Sequence, residues 1–307
     1  MPTKMNIKEA VRGSWLIHPY RAVRDGYWKS RDYVLDQLAS SQPRLAFKLL
    51  TTAIPKSGTH LIMEALRNIS EIKRRPLLLK PRVPVTDYRA PLEKLALNRY
   101  AYGHLGVSEE TVRLVKDFGL SVLVMLRDPR DLVVSHVDHA FRLKPSILRE
   151  FYGSLEDDHA RLKAAIAGVP PDRYPRIERV AAMGGYEMLT GYADIGKVCR
   201  GYLAWGEVPG IRVHFVHYRD LIGERGGGTR ERQFGATKNI IEFLKLDYSD
   251  AKVSRVCDRT YSTKSVTFNK GGQNRWKSVF TPELKDLFKK FAARELIEMG
   301  YEKDDNW

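Results

Sequence analysis

The segment Leu49-Leu50-Thr51-Thr52-Ala53-Ile54-Pro55-Lys56-Ser57-Gly58-Thr59-His60 runs from an apolar stretch through a short polar loop into a helical pattern. Leu61, Ile62, Ala65, Leu66 and Ile69 then share one helical face. The order predicts strand, tight loop, helix. A loop of this kind aims free backbone N–H groups and the positive end of a helix at one spot, where an anion gains from both. Lys56 adds a full positive charge, Ser57 and Thr59 add hydroxyls, and Gly58 lets the backbone approach a ligand closely. The physical reading is a cradle for a phosphate or sulfate group, built from Pro55, Lys56, Ser57, Gly58, Thr59 and His60. It is not a Walker A loop, in which the lysine directly follows a glycine; here Lys56 precedes Gly58. From this loop alone, an ordinary strand–helix turn with an incidental lysine remains an equal alternative.

Apolar runs suited to strands recur at 46–54, near 100–105, at 121–126 and at 211–218, with helical patterns between them. Short continuous runs of this sort predict a mostly parallel, buried β-sheet flanked by helices, an α/β fold. Asp128-Pro129-Arg130-Asp131 predicts a helix start: Asp128 can cap, Pro129 suits the first helical position, and Asp131 meets the helix dipole. Val133, Val134, Val137 and Phe141 extend its apolar face. Arg130 and Asp131 are expected to pair with each other or to face water. Thr281-Pro282-Glu283 opens a further helix with Leu284, Leu287, Phe288 and Phe291 at core spacing. Residues 142–200 are the least legible; they carry Pro170-Pro171 and Gly184-Gly185 and end in a helical pattern around Val198 to Trp205. Residues 1–45 mix aromatic and basic side chains and are expected to pack on the neighbouring core. Gly226-Gly227-Gly228 reads as a surface loop.

The chain has 307 residues and a formal net charge of 52 − 37 = +15. That balance favours anionic partners: nucleotides, nucleic acid, acidic glycans or a membrane surface. The densest basic stretch runs from Arg67 to Arg99, and a solvated basic face explains it as well as a docking site does. Two cysteines, Cys199 and Cys257, stand in no metal or redox spacing and suggest a reducing compartment. No apolar run approaches the ~18–20 residues of a membrane span, and the N-terminus lacks a signal-peptide core. A soluble cytoplasmic protein is expected.

Two more constellations bear on the anion. Arg127 follows the run at 121–126, at the strand end where open α/β sheets bind ligands, and Ser135 lies two turns into the next helix. Arginine grips a phosphate with a planar fork and serine adds one bond. Near the C-terminus, Phe268-Asn269-Lys270-Gly271-Gly272-Gln273-Asn274-Arg275-Trp276-Lys277 reads either as a flexible loop before a capped helix or as a lid over a phosphate.

Taken in order, these pieces resemble the signatures of the sulfotransferase family, enzymes that use 3′-phosphoadenosine 5′-phosphosulfate (PAPS). Ile54 to Thr59 is similar to the loop that holds the 5′-phosphosulfate. Arg127 and Ser135 fall on the positions that hold the 3′-phosphate. Lys270-Gly271, ahead of Trp276-Lys277, resembles the family's R-K-G-x-x-G-x-W-K lid. Tyr218-Arg219-Asp220-Leu221 resembles a Tyr-Glu-Asp-Leu type turn near the adenine. The likeness spans about residues 46–301. It implies a P-loop NTPase-like sulfotransferase fold in one domain over 1–307, with 1–45 as an extension and 142–200 as an acceptor-pocket insertion. Departures are Asn269 for the lid arginine, Leu61 where cytosolic relatives often stack a tryptophan on adenine, and Asn274-Arg275 for the usual Gly-Asp. They speak against the cytosolic phenol- and steroid-acting branch.

The resemblance implies in-line sulfuryl transfer from PAPS to a hydroxyl, less readily an amine, of a small molecule or glycan, leaving adenosine 3′,5′-bisphosphate (PAP). Lys56 would neutralise the departing phosphate, and His104, in Tyr102-Gly103-His104-Leu105-Gly106, would be the base. His60, His136, His139 and Glu64 are rivals for the base. No metal is required by this scheme, no specific nucleic-acid partner is implied, and a homodimer stays open. A P-loop-type nucleotide kinase is the nearest rival enzyme, but its Mg²⁺ ligands and GK[ST] order are missing. A non-catalytic basic protein binding nucleotide or glycan, or a degenerate relative, is the other reading.

Overall fold

The computed structural model describes residues 45–79, 85–142, 149–169, 193–261 and 272–307. Five strands form one sheet: β1 (Lys48–Ala53), β2 (Leu77–Leu78), β3 (Tyr100–Gly103), β4 (Leu120–Leu126) and β5 (Val213–His217). The order is β2-β3-β1-β4-β5 and every pairing is parallel. β1 is central, with Leu49 beside Tyr100 on one flank and Ser121 on the other. The expected parallel α/β sheet is therefore present. Leu77–Leu78 was not foreseen, because a two-residue edge strand shows no periodicity.

Burial on both faces explains the unbroken apolar runs. Leu49, Ala53, Leu123, Met125 and Val216 point into one core cluster. Leu50, Ile54, Val122, Val124 and Leu126 point into the other. The longer helices are α1 (Thr59–Arg67), α2 (Glu109–Asp117), α3 (Pro129–Arg142), α4 (Asp158–Ala167), α5 (Ile195–Leu203), α6 (Arg230–Phe243), α7 (Asp250–Thr260) and α8 (Pro282–Glu298). Side chains of α1, α6 and α7 fill the first cluster, and those of α2, α3, α4, α5 and α8 fill the second.

The two helix starts read from Asx-Pro and Thr-Pro signals hold. Asp128 Oδ1 accepts from the Arg130 N–H at 2.9 Å, and Thr281 Oγ1 accepts from Leu284 N–H at 3.3 Å. The start of α2 was harder to see. Its capping box pairs Ser108 with Thr111, where a Glu or Gln is the usual signal. Within the poorly legible 142–200 stretch, Tyr152, Leu162, Ala165 and Ile166 join the same core as Leu132 and Leu284. Residues 1–44, Pro170-Pro171, Gly184-Gly185 and 262–271, including Asn269, Lys270 and Gly271, lie outside the described residues. Among the described residues no helix is long and apolar enough to cross a membrane.

Parallel strands end together. The C-terminal ends of β3, β1, β4 and β5 deliver His104, the 54–58 loop, Arg127 and Tyr218 to one edge of the sheet.

Candidate active site

The loop after β1 is shaped by two left-handed residues. Gly58 has φ 103° and Lys56 has φ 76°. At Gly58 a glycine is needed twice over: for the dihedral, and because a Cβ there would stand 2.4 Å from Tyr218 Cδ2. Lys56 carries a side chain in a region that costs roughly 1–3 kcal/mol, a strain found where a loop is held for function. Ser57 N–H donates to Ile54 O at 3.0 Å, closing the turn. The start of α1 has no side-chain cap. Ser57 is fully buried, and its Oγ has no hydrogen-bond partner among the described residues. Thr59 is buried, Pro55 is half-buried, and His60 opens α1 exposed.

Arg127 ties the loop to its surroundings. It is 7% exposed, and its guanidinium donates to Lys56 O and to Gly272 O, each at 3.1 Å. It lies over the Tyr218 ring at 4.5 Å, and its Nε has no partner. Burial raises the Tyr218 hydroxyl above its ordinary value, so the phenol stays neutral. Ser135 is buried in α3.

Arg130 and Asp131 correct the sequence reading. They neither pair with each other nor face water. Arg130 donates to both Asp128 oxygens and, at 2.6 Å, to Glu302. Its guanidinium packs against two indoles set edge-to-face, Trp276 at 3.9 Å and Trp307 at 4.5 Å. Asp131 accepts from the backbone N–H groups of Asn274 (2.9 Å) and Trp276 (3.1 Å), fastening the C-terminal end of the expected lid. Burial pushes its carboxyl up, with the Arg127 charge pulling it down. The departures at 274–275 also find reasons. Asn274 has φ 61°, a conformation asparagine tolerates better than most residues, and Arg275 donates to Asp138 at 2.6 Å. Leu61 is a core residue of the face built by α1.

On the far side of the loop, Lys56 Nζ lies 3.2 Å from His139 Nδ1. His104 Nδ1 lies 2.6 Å from Ala53 O, and its Nε2 lies 2.8 Å from Tyr102 Oη. Burial, more than the nearby Lys56 charge, holds the His104 imidazole below its ordinary pKa. Among the rival bases, Glu64 is engaged by Arg67 at 2.6 Å. His136 is buried with neither ring nitrogen bonded, and burial lowers its pKa to about 3. Two contacts were missed in the sequence: Tyr102 on His104, and His139 as the partner of Lys56. Both had a signal. Tyr102 and His104 are two apart at a strand end, and His139 lies one helical turn beyond Ser135.

The profile described as "Sulfotransferase domain" matches residues 47–300. The chain belongs to the sulfotransferase family. Solved structures agree on the fold. The mouse sulfotransferase SULT7A1 complexed with PAP shares 18% identity, with 83% of this chain and 90% of that one covered at a TM-score of 0.54. Retinol dehydratase in complex with androsterone and inactive cofactor PAP shares 15%, covering 90% and 87% at 0.50. No curated protein sequence matches the chain. In this chain the sheet is parallel, central and helix-flanked, and the strained loop lies at its C-terminal edge.

Proposed function

We propose that the protein is a PAPS-dependent sulfotransferase that moves the sulfuryl group to a hydroxyl of a small molecule or glycan. Family membership supports the reaction class. The observation that carries the assignment of the donor is the orphaned polar lining of the loop. Ser57 Oγ and Arg127 Nε are buried without partners beside an uncapped helix start, the provision an anionic group would use. Pro55 to His60 would hold the 5′-phosphosulfate. Arg127 and Ser135, with Lys270 and Gly271, would hold the 3′-phosphate, and Tyr218 would lie against the adenine.

Lys56 is the cation for the departing bridge oxygen. Its ammonium donates to His139 in the free protein, and in the reaction it would turn to the leaving phosphate. His104 is the base. Its Nδ1–H is spent on Ala53 O, so Nε2, which lies against Tyr102 Oη, is the nitrogen that would take up the proton. Holding donor and acceptor in line supplies the rest of the rate.

The test is incubation of the purified full chain with labelled PAPS and a panel of hydroxyl and amine acceptors, with sulfated product identified by mass. A product carrying the label, absent with Lys56→Ala, supports the reading. Transfer from ATP in place of PAPS would replace it with the kinase.

A further inference from the structure

Elementary hydrogen-bond chemistry fixes the direction of both bonds to His104. The Ala53 carbonyl can only accept, so the proton of the 2.6 Å contact is on His104 Nδ1. A neutral imidazole then has its lone pair on Nε2, and the 2.8 Å contact there makes Tyr102 Oη the donor. Burial of the ring favours this neutral state. The lone pair that would take the acceptor's proton is therefore already engaged by a phenol.

Tyr102 is not poised to swing away. It is 9% exposed and belongs to the core cluster shared with α1. Its ring meets that of His104 edge-on, with centroids 5.5 Å apart. Its backbone is locked in β3 beside Thr51, and its carbonyl accepts from Leu79 N–H at 2.8 Å. Displacing the hydroxyl would mean moving a core side chain, whereas its oxygen has two lone pairs and can accept as well as donate.

Resting on the sulfotransferase reading above, we propose that Tyr102 is the group that meets the acceptor hydroxyl and relays its proton to His104. As the acceptor oxygen bonds to sulfur, the bond from sulfur to the bridging phosphate oxygen breaks, and PAP leaves with that electron pair. The acceptor's proton passes to Tyr102 Oη while the phenolic proton passes to His104 Nε2. Tyr102 ends as it began, and His104 becomes an imidazolium whose Nδ1–H stays on Ala53 O. His104 then acts through Tyr102.

The experiment compares the full-length wild type with Tyr102→Phe, His104→Ala and the double variant. PAP binding is measured by calorimetry, and single-turnover transfer from labelled PAPS is measured with naphthol and with water as probe hydroxyls. The imidazole nitrogens of His104 are followed by ¹⁵N NMR. Tyr102→Phe keeps the packed ring, and unfolding midpoints confirm that each variant is folded. The relay predicts PAP affinity unchanged and transfer in Tyr102→Phe lowered about 10²–10³-fold. It predicts the double variant within about threefold of His104→Ala, because both changes cut one proton path. The wild-type proton inventory is curved and that of Tyr102→Phe is linear. The NMR spectrum shows an Nδ1–H tautomer whose Nε2 signal shifts when the phenol is removed. Tyr102→Phe transfer within about threefold of wild type, additive losses in the double variant, or an Nε2–H tautomer overturns the relay. So does a wild type that binds PAP yet transfers to neither probe. A wild type that fails to bind PAP removes the sulfotransferase reading itself.

Discussion

Arg127 and Arg130 stand on the same short segment, both nearly buried, and their surroundings are opposite. Arg130 is well satisfied: two carboxylates take its donors and two indoles pack against it. Among the described residues Arg127 reaches backbone carbonyls at Lys56 and Gly272, with Asp131 at 3.8 Å, and its Nε has no partner. A satisfied buried charge builds the fold, and an under-satisfied one awaits a ligand. The same contrast separates the loop at 54–60, with its strained Lys56 and buried Ser57 hydroxyl, from the Arg130–Trp276–Trp307 cluster.

If that division is right, changes in the first region cost function and changes in the second cost stability. The largest functional loss should come from His104→Ala: roughly 10²–10⁴ in turnover, with the unfolding midpoint and PAP affinity held. Steady-state kinetics beside calorimetry checks this; near-normal turnover would take the histidine out of the mechanism. Lys56→Ala should cost about 10²–10³ in turnover. A large drop in thermal stability instead would mean that the loop is structural.

The sharpest contrast is between the two arginines. Arg130→Ala leaves Asp128 as an uncompensated buried charge and should cost about 3–5 kcal/mol of stability in denaturant unfolding. Arg127→Ala should weaken PAP binding by about 10–100-fold, as loss of a charge-assisted bond does, with a smaller change in stability. Exchange of these outcomes would reverse the assignment of the two residues.

The smallest effect concerns acid stability. His136 has its pKa lowered to about 3 in the fold, against an ordinary 6.5 when unfolded. Between those values the unfolded chain binds the extra proton, so stability falls as pH drops below 6.5, by at most ~1.4 kcal/mol per pH unit. His136→Phe should flatten that slope in urea unfolding measured at pH 4 to 7. An unchanged slope would assign acid sensitivity to other groups.

The parts of this fold that could be read in the sequence are those with local causes. β1 and β4 announce themselves because two-sided burial demands continuous apolar residues, and the partly buried edge strand β5 through its β-branched and aromatic residues Val213, Phe215 and Val216. The starts of α3 and α8 announce themselves through Asp128-Pro129 and Thr281-Pro282. The strand–loop–helix unit at 48–67 was legible because its signals are contiguous. What stayed hidden depends on partners far along the chain. Arg130 looked solvated because Glu302, Trp276 and Trp307 are remote in sequence, and Asp131 holds backbone amides that leave no trace in composition. Cys199 and Cys257 are both free and buried. The role proposed for Tyr102 needed the geometry at His104, since only the two distances together decide which nitrogen carries the proton.

The central claim, that the loop around Lys56 and Arg127 is built for a nucleotide with two anionic ends, is tested most directly by calorimetric titration of the full chain with PAP and with ATP. The account predicts saturable one-to-one binding of PAP that is tighter than that of ATP and is weakened by Arg127→Ala. Absence of PAP binding, or a preference for ATP, would contradict it.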